Sequence, residues 1–448
     1  MLTDVRLTTL EELNTQEKLR NLLKMDLNFH NEDSSQMSHD FHAFPAKFPP
    51  QLPRLFITHL TNPGERVLDP MMGSGTCVLE AVAVGREGVG LDIDPLAVML
   101  SKVKLNYVNP EVAQAVGLQI AERAESALHN GALQNLEKEL SIRFNPKTRK
   151  FVDYWFSFQT QLELTTIIRE IEKVEDYDVK EFLTLVFSAI IITKSGGVSL
   201  AWDLAHTRPH KLNQGAPKSY RPAVKEFRKR LLKNINGLIE MNADKARTFL
   251  QFGNAEVMPL KSNSVDLLFT SPPYASNAID YMRAHKFSLV WLGHHVDQLS
   301  ELRSKYIGGE KVSSYDFLDM PPGTKSIIAS LAAIDKKKSL ALHRYYSEMR
   351  KVVSEAFRVL KPGKAAVFVV GSSMMRGIDS QTQMCLGEIG SMVGFDLVGI
   401  GTRKLDRDRR MLPARIKKQQ SQIEERMHEE YVVALVKPDK ELKANGKN

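Results

Sequence analysis

The stretch from Arg66 to Asp94 limits the fold more than any other part of the chain. A short β-branched run, Arg66-Val-Leu-Asp69, ends at Asp69-Pro70 and is followed by the turn Gly73-Ser74-Gly75. An Ala/Val/Leu-rich helical stretch then leads to a second short strand that stops at Asp92-Ile93-Asp94. Strand, glycine turn, helix and strand in this order make half of a nucleotide-binding βαβ unit, the building block of a parallel α/β sheet. In such a unit the glycines let a ligand approach the backbone where the helix starts, and an acidic residue after the second strand is placed to bond ribose hydroxyls. Asp92 stands at that place. The third glycine of the dinucleotide fingerprint is missing, because Val78 stands where it would fall. This argues against a pyrophosphate-binding site.

A second apolar run, Val265-Asp-Leu-Leu-Phe-Thr270, reads as a buried strand and passes directly into Ser271-Pro272-Pro273-Tyr274. Open α/β sheets bind ligands outside the carboxyl ends of their strands, which is where this tetrapeptide falls. Two consecutive prolines have no N–H for a ladder and fix φ, so the carbonyls around them stay outward as acceptors in a preset geometry. A Ser hydroxyl and the Pro272 carbonyl suit a planar amino group, while Tyr274 offers a face to a flat ring. A packing turn after a strand would explain the prolines alone. The glycine turn elsewhere in the chain favours the chemical reading.

Ser271-Pro-Pro-Tyr274 resembles the [Ser/Asn/Asp]-Pro-Pro-[Tyr/Phe/Trp] motif of methyltransferases that act on exocyclic amino groups of nucleobases. Asp69-Pro70-x-x-Gly73-Ser74-Gly75-Thr76 resembles their S-adenosylmethionine loop. The chain is thus similar to prokaryotic DNA amino-methyltransferases, which make N4-methylcytosine or N6-methyladenine. The resemblance implies an α/β, Rossmann-like S-adenosylmethionine-dependent methyltransferase fold, with a seven-stranded, mostly parallel sheet and, here, a largely helical insertion. It implies S-adenosyl-L-methionine as cofactor and no metal. Asp69 would lie near the methionine ammonium, Asp92 on the ribose with Ile93 beside it, and Pro70, Gly73, Ser74, Gly75 and Thr76 around the methionine part. Upstream, Phe41-His-Ala-Phe-Pro-Ala-Lys-Phe-Pro-Pro50 is similar to a segment that covers the methionine end, which nominates Phe44 and Lys47. Phe252-Gly-Asn254-Ala255 takes the place of a Gly-Asp-Ala that contacts the cofactor adenine. Asn254 departs from that pattern by lacking the charge, and Asn254 and Ala255 keep the position.

The likeness continues through Asn277 to Gly293. Phe287, Leu289, Val290 and Leu292 read there as core of an amphipathic helix, and Asn277, Asp280, Tyr281, Arg283 and His285 fall nearer the expected base pocket. A helix is expected over Gln51–Leu60, another over Val352–Leu360 that turns at Lys361-Pro-Gly-Lys364 into the strand Ala365–Ser372, and a last pair of strands at Gly394–Gly401 and Glu430–Val436. The expected division makes residues 1–37 a peripheral segment, 38–105 with 248–437 the catalytic domain, 106–247 the helical insertion and 438–448 a polar tail. Helices are expected over Gln159–Val174 and Val179–Lys194. The stretch 296–340 reads as irregular, broken at Ile307-Gly-Gly and Met320-Pro-Pro-Gly323, and is a candidate for target recognition beside the insertion.

A hydrophobic fraction of 43% in 448 residues supports a core of this extent. No apolar run is long enough to span a membrane, and the first residues carry no apolar signal core, so no membrane partner is expected. Two cysteines offer no disulfide framework, which points to the cytoplasm. Neither Cys77 nor Cys385 follows a proline, against the covalent route to C5 of cytosine. The net charge of +8 is mild, yet basic residues gather at 143–150, 211–233 and 403–418. Beside a base-modifying motif these clusters point to the phosphates of double-stranded DNA, with Arg208, Lys211, Arg221, Arg228, Arg283, Arg407 and Arg410 as candidates.

The target amino nitrogen is paired and stacked inside a duplex, so the base must be extruded, with Tyr274 stacking on it. Bonds from the amino group to Ser271 and to the Pro272 carbonyl would localise the nitrogen lone pair for direct displacement at the sulfonium methyl. Orientation and electrostatic fit carry the barrier reduction. Ser at the first position of the motif favours N4 of cytosine over N6 of adenine. A cognate restriction endonuclease acting on the same site is the second partner such a likeness implies. The rivals are a tRNA guanine-N2 methyltransferase, which would show Asp-Pro-Pro-Tyr and an appended RNA-binding domain, and a non-catalytic nucleic-acid binder, against which the intact motifs count.

Overall fold

A computed structural model describes residues 13–30, 41–44, 49–129, 133–193, 197–202, 218–239, 248–275, 280–309, 315–405 and 429–439. Lys47, Arg208, Lys211, Asn277, Arg407 and Arg410 lie outside the described residues.

Helices α1 (Thr15–Leu22) and α2 (Gln51–Leu60) precede the βαβ unit, which forms as its sequence dictates. Strands β1 (Arg66–Asp69) and β2 (Glu87–Asp92) flank helix α3 (Thr76–Ala83) and pair in parallel, Arg66 beside Glu87 through Asp69 beside Gly90. Val78 is fully buried on α3 and faces Gly88, where a Cβ would come within 2.6 Å of the valine Cγ1. The close approach of helix to strand thus uses a glycine on the strand, and the helix needs none at this position. After helix α4 (Pro95–Leu105) come six helices: α5 (Pro110–His129), α6 (Leu133–Arg143), α7 (Pro146–Trp155), α8 (Phe158–Glu172), α9 (Tyr177–Ile191) and α10 (Ala223–Ile239). The periodic stretches read at 159–174 and 179–194 are α8 and α9.

Strands β3 (Thr248–Phe252) and β4 (Val265–Thr270) follow, then helices α11 (Tyr281–Leu289), α12 (Val296–Ser304), α13 (Pro322–Ala332) and α14 (Lys336–Val359). Strand β5 (Leu360–Val370), a small hairpin of β6 (Met374–Met375) and β7 (Ile378–Asp379), helix α15 (Thr382–Val393), and strands β8 (Asp396–Lys404) and β9 (Glu429–Val436) end the described chain. The main sheet has seven strands in the order β3-β2-β1-β4-β5-β9-β8. Every pairing is parallel except those of β9, which runs against both β5 and β8. This is the expected α/β, Rossmann-like, mostly parallel sheet. Strand order reverses direction between β1 and β4, and the crevice at their carboxyl ends is the place such sheets reserve for ligands.

The helical insertion does not stand apart as a module. Leu96, Leu100 and Val103 of α4 share one buried cluster with Leu183 and Phe187 of α9, Phe227 of α10, and Phe287 and Trp291 in and after α11. Three expectations need correction. The segment before residue 37 is not wholly peripheral, because Leu19, Leu22 and Leu27 are buried against α2 and the sheet. The stretch 296–340 is largely helical rather than irregular. Pro322 stands in the first turn of α13, where the missing N–H costs nothing, and the Asp335 side chain caps α14. Lys361-Pro-Gly-Lys364 is no corner between helix and strand. Leu360 already pairs with Val265, the next pairing is Ala365 with Leu267, and the tetrad is a bulge inside β5. Among the described residues no helix is long and apolar enough to cross a membrane.

Candidate active site

The loop between β1 and α3 is shaped by its glycines and braced from behind. Gly75 adopts φ +74°, and a Cβ there would stand 2.6 Å from Ser101 Oγ, so both conformation and space call for glycine. Ser101 Oγ donates to the Gly73 carbonyl at 3.2 Å, and the fully buried Lys104 donates from Nζ to the Ser74 carbonyl at 2.6 Å. Ser74 and Thr76, expected among the ligand contacts, are 5% and 4% exposed, and their hydroxyls bond each other at 3.1 Å. Their side chains brace the turn, and what the loop offers a ligand is main chain. Lys104→Met keeps the stem and deletes the ammonium, leaving a buried carbonyl without this donor. It is expected to cost about 1–3 kcal/mol of stability, read as a lowered urea midpoint.

Carboxylates close the loop from the strand ends. Asp92 Oδ2 accepts from Gly73 N at 2.8 Å and Oδ1 from Asp94 N at 2.8 Å, so the residue expected on a ribose also ties the glycine turn to β2. Asp69 is buried at the end of β1, where Oδ1 accepts from Thr270 Oγ1 at 2.7 Å and from Met71 N at 3.2 Å. The Thr270 bond spans the switch point and fastens the loop after β1 to the last residue before the tetrapeptide. Burial, with Asp92 adding to it, raises the Asp69 carboxyl to about 7 against the pull of those hydrogen bonds. Burial and Asp94 raise Asp92 to about 6. Asp94 behaves otherwise. Burial opposes its ionisation too, but His285 Nδ1 at 2.7 Å, Tyr306 OH at 2.8 Å and Leu96 N at 2.9 Å hold it below the usual carboxylate range.

Ser271, Pro272, Pro273 and Tyr274 follow β4 at the same edge of the sheet. Among the described residues nothing donates to the Pro272 carbonyl, which remains an acceptor as the prolines imply. Tyr274 OH donates to Glu430 Oε1 at 2.7 Å, and Glu430 Oε2 accepts from Arg403 Nη1 at 2.8 Å. Asn254 Oδ1 accepts from Glu256 N at 2.9 Å, which shapes the turn after β3. Ala255 is buried, as is Pro70, while Ile93 is half-buried.

Phe44 lies over the glycine turn, its ring 3.3 Å from where a Cβ on Gly73 would sit. It stacks on Tyr281 with centroids 5.1 Å apart and tilts against His285 at 5.2 Å. Tyr281 and His285 were expected near a base pocket. His285 instead bonds Asp94 beside the β1 and β2 loops, and Tyr281 lies next to it under Phe44. The same segment is sewn into the insertion by His42 Nε2 and Ser188 Oγ at 3.0 Å and by Asn234 Nδ2 donating to the Phe41 carbonyl at 3.1 Å.

The basic clusters are less available than a count of charges suggests. Arg228 pairs with Glu125 at 2.7 Å, Arg143 with Glu172 at 2.6 Å and Arg149 with Asp153 at 2.9 Å. Arg403 is 5% exposed and committed to Glu430. Arg221 is half-buried. Arg283 is about half exposed, 3.7 Å from Asp280, whose stronger partner is Arg303 at 2.6 Å. Lys104, Thr270, Asp94 and Glu430 were not singled out from the sequence. Lys104 alone carried a local signal, a cation three residues after Ser101 on a mostly apolar helix.

Comparisons with known proteins agree on one family. The N6/N4 methyltransferase family model, described as DNA methylase, matches residues 9–102. The Type II methyltransferase M.MvaI of Kocuria varians is 27% identical over 391 residues, covering 81% of this chain and 83% of that one. M.AvaI of Nostoc sp. is 24% identical over 365 residues, covering 74% and 73%. M.BsoBI of Geobacillus stearothermophilus is 22% identical over 435 residues, covering 83% and 81%.

Proposed function

We propose, from the premise that the chain belongs to the DNA amino-methyltransferase family, that it methylates N4 of cytosine in a specific sequence of double-stranded DNA. The observation that carries this reading is the juxtaposition at the switch point, where the Thr270–Asp69 bond joins the glycine turn to Ser271-Pro-Pro-Tyr274. S-Adenosylmethionine suits the first half. The loop offers main chain at Gly73 to Gly75, buried carboxylates for a cationic ligand, and an apolar cover in Phe44. When bound, this cofactor supplies an electrophilic methyl group on a sulfonium.

The tetrapeptide does the rest. Tyr274 presents its ring to the extruded base, and the Pro272 carbonyl and Ser271 Oγ accept from the exocyclic amino group. Bonding both N–H groups in the plane of those acceptors draws the nitrogen lone pair out of conjugation and aims it at the methyl donor. Ser271, a neutral group in the first position, is the reason for preferring cytosine. Incubation with S-adenosylmethionine carrying a labelled methyl group and duplex DNA, followed by nucleoside analysis, is expected to yield N4-methylcytosine. N6-methyladenine would overturn the choice of base, and label in tRNA alone would overturn the substrate class.

Asp69 and Asp92 make cofactor binding depend on pH. Both have folded-state pKa values above the ordinary 3.8, at about 7 and about 6, so their ionised forms appear only as pH rises through that window. A cationic ligand favours the ionised forms, and its binding releases protons. Affinity for S-adenosylmethionine is therefore expected to strengthen about tenfold between pH 6 and 8, by titration calorimetry, where one pH unit of coupled deprotonation is worth about 1.4 kcal/mol. A flat profile would remove both carboxylates from the cofactor site.

A further inference from the structure

Tyr274 is anchored from an unexpected direction. Its phenol donates to Glu430 at the start of β9, and Glu430 is the register partner of Arg403 near the end of β8. Because β9 is reversed, its first residues lie at the edge of the sheet where the parallel strands end. It brings a carboxylate there that no parallel strand would supply from its amino end. Arg403 is 5% exposed and holds the second Glu430 oxygen at 2.8 Å, so the carboxylate is fixed in place.

A carboxylate accepts hydrogen bonds and has none to give. The phenol proton of Tyr274 is thereby committed to Glu430, and burial together with Glu430 holds the phenol well above the usual tyrosine range, so that proton stays. The phenol oxygen is left as an acceptor. With its hydroxyl held at one place, the ring of Tyr274 is held as well.

Resting on the function proposed above, we infer that Glu430, held by Arg403, is a positioning residue that anchors the phenol of Tyr274 and so fixes the plane its ring presents to the extruded base. Without that anchor, the ring turns away from the stacking plane in part of the population, and the amino nitrogen is misaimed at the methyl donor.

The test is a double-mutant cycle on single-turnover methyl transfer to duplex DNA. Glu430→Gln offers an amide in place of the carboxylate and breaks the pairing with Arg403. Tyr274→Phe keeps the ring and the Glu430–Arg403 pair while deleting the hydroxyl. Each is expected to slow transfer about tenfold to hundredfold, with the dissociation constant for S-adenosylmethionine within about twofold of the parent. Adding Glu430→Gln to Tyr274→Phe is expected to change the rate less than about threefold, because the hydroxyl through which Glu430 acts is already gone. Equal losses from Glu430→Gln in both backgrounds would overturn the proposal and leave Glu430 a structural residue. The Tyr274 ¹³Cζ resonance, assigned by its disappearance in Tyr274→Phe, needs no DNA. It is expected to shift in Glu430→Gln, and an unmoved resonance overturns the proposal whatever the substrate. A parent chain that methylates no DNA overturns the functional reading first, and this role with it.

Discussion

Tyr274→Ala is expected to slow methyl transfer to duplex DNA by roughly three to four orders of magnitude in a protein that remains folded. Two losses combine. Stacking of one base on one aromatic ring is worth about 1–3 kcal/mol, or roughly tenfold to hundredfold in the population of correctly held base. Misplacing a reacting group by about 1 Å costs a further factor of about 10². The fold is spared because Tyr274 is only half-buried, and Glu430 keeps Arg403 when the phenol is gone. Single-turnover transfer of a labelled methyl group measures the rate, and the fluorescence of 2-aminopurine at the target position reports whether the base still leaves the stack. Transfer within tenfold of the parent would mean that Tyr274 does not hold the base.

The second large effect belongs to Asp69. Asp69→Ala is expected to weaken S-adenosylmethionine binding about tenfold to hundredfold, since hydrogen bonds to a charged group contribute about 1.5–3 kcal/mol each. It also releases Thr270, whose hydroxyl donates to that carboxylate at 2.7 Å, so transfer at saturating cofactor is expected to fall as well. Asp69→Asn separates the two roles. Its side-chain carbonyl still accepts from Thr270, but it carries no charge, so it is expected to retain the maximal rate and to lose most of the pH dependence of cofactor binding. Calorimetry across pH 6 to 8 on the three proteins decides the matter. An unchanged dissociation constant in Asp69→Ala would move the cofactor ammonium elsewhere.

The features legible in the sequence are those that the local backbone encodes. A glycine required at φ +74° and a proline pair that cannot join a ladder announce themselves without any partner, and the β1 turn and the tetrapeptide fall where they were read. Features that depend on remote partners were not legible. Thr270 and Asp69 are 201 residues apart in the chain, and Tyr274 and Glu430 are 156 apart. Nothing in either neighbourhood hints at the other. Charges mislead for the same reason. Arg228 looked available for phosphate until Glu125, 103 residues away, was found beside it. Pro321-Pro322 looked like a break because proline both ends helices and begins them, and only the neighbouring turns of α13 show which. His285 was read toward the base because its position in the sequence follows the tetrapeptide, whereas the path of α11 returns it to Asp94.

The reversed strand β9 has one more effect, on the run of chain joining β8 to β9. Chain leaves β8 at Lys404 and enters β9 at Glu429, and the reversal places both points at the edge of the sheet that carries the tetrapeptide. Residues 405–428 hold much of the third basic cluster read from the sequence. The two ends of that run, Lys404 and Glu429, are therefore fixed in register with each other at that edge.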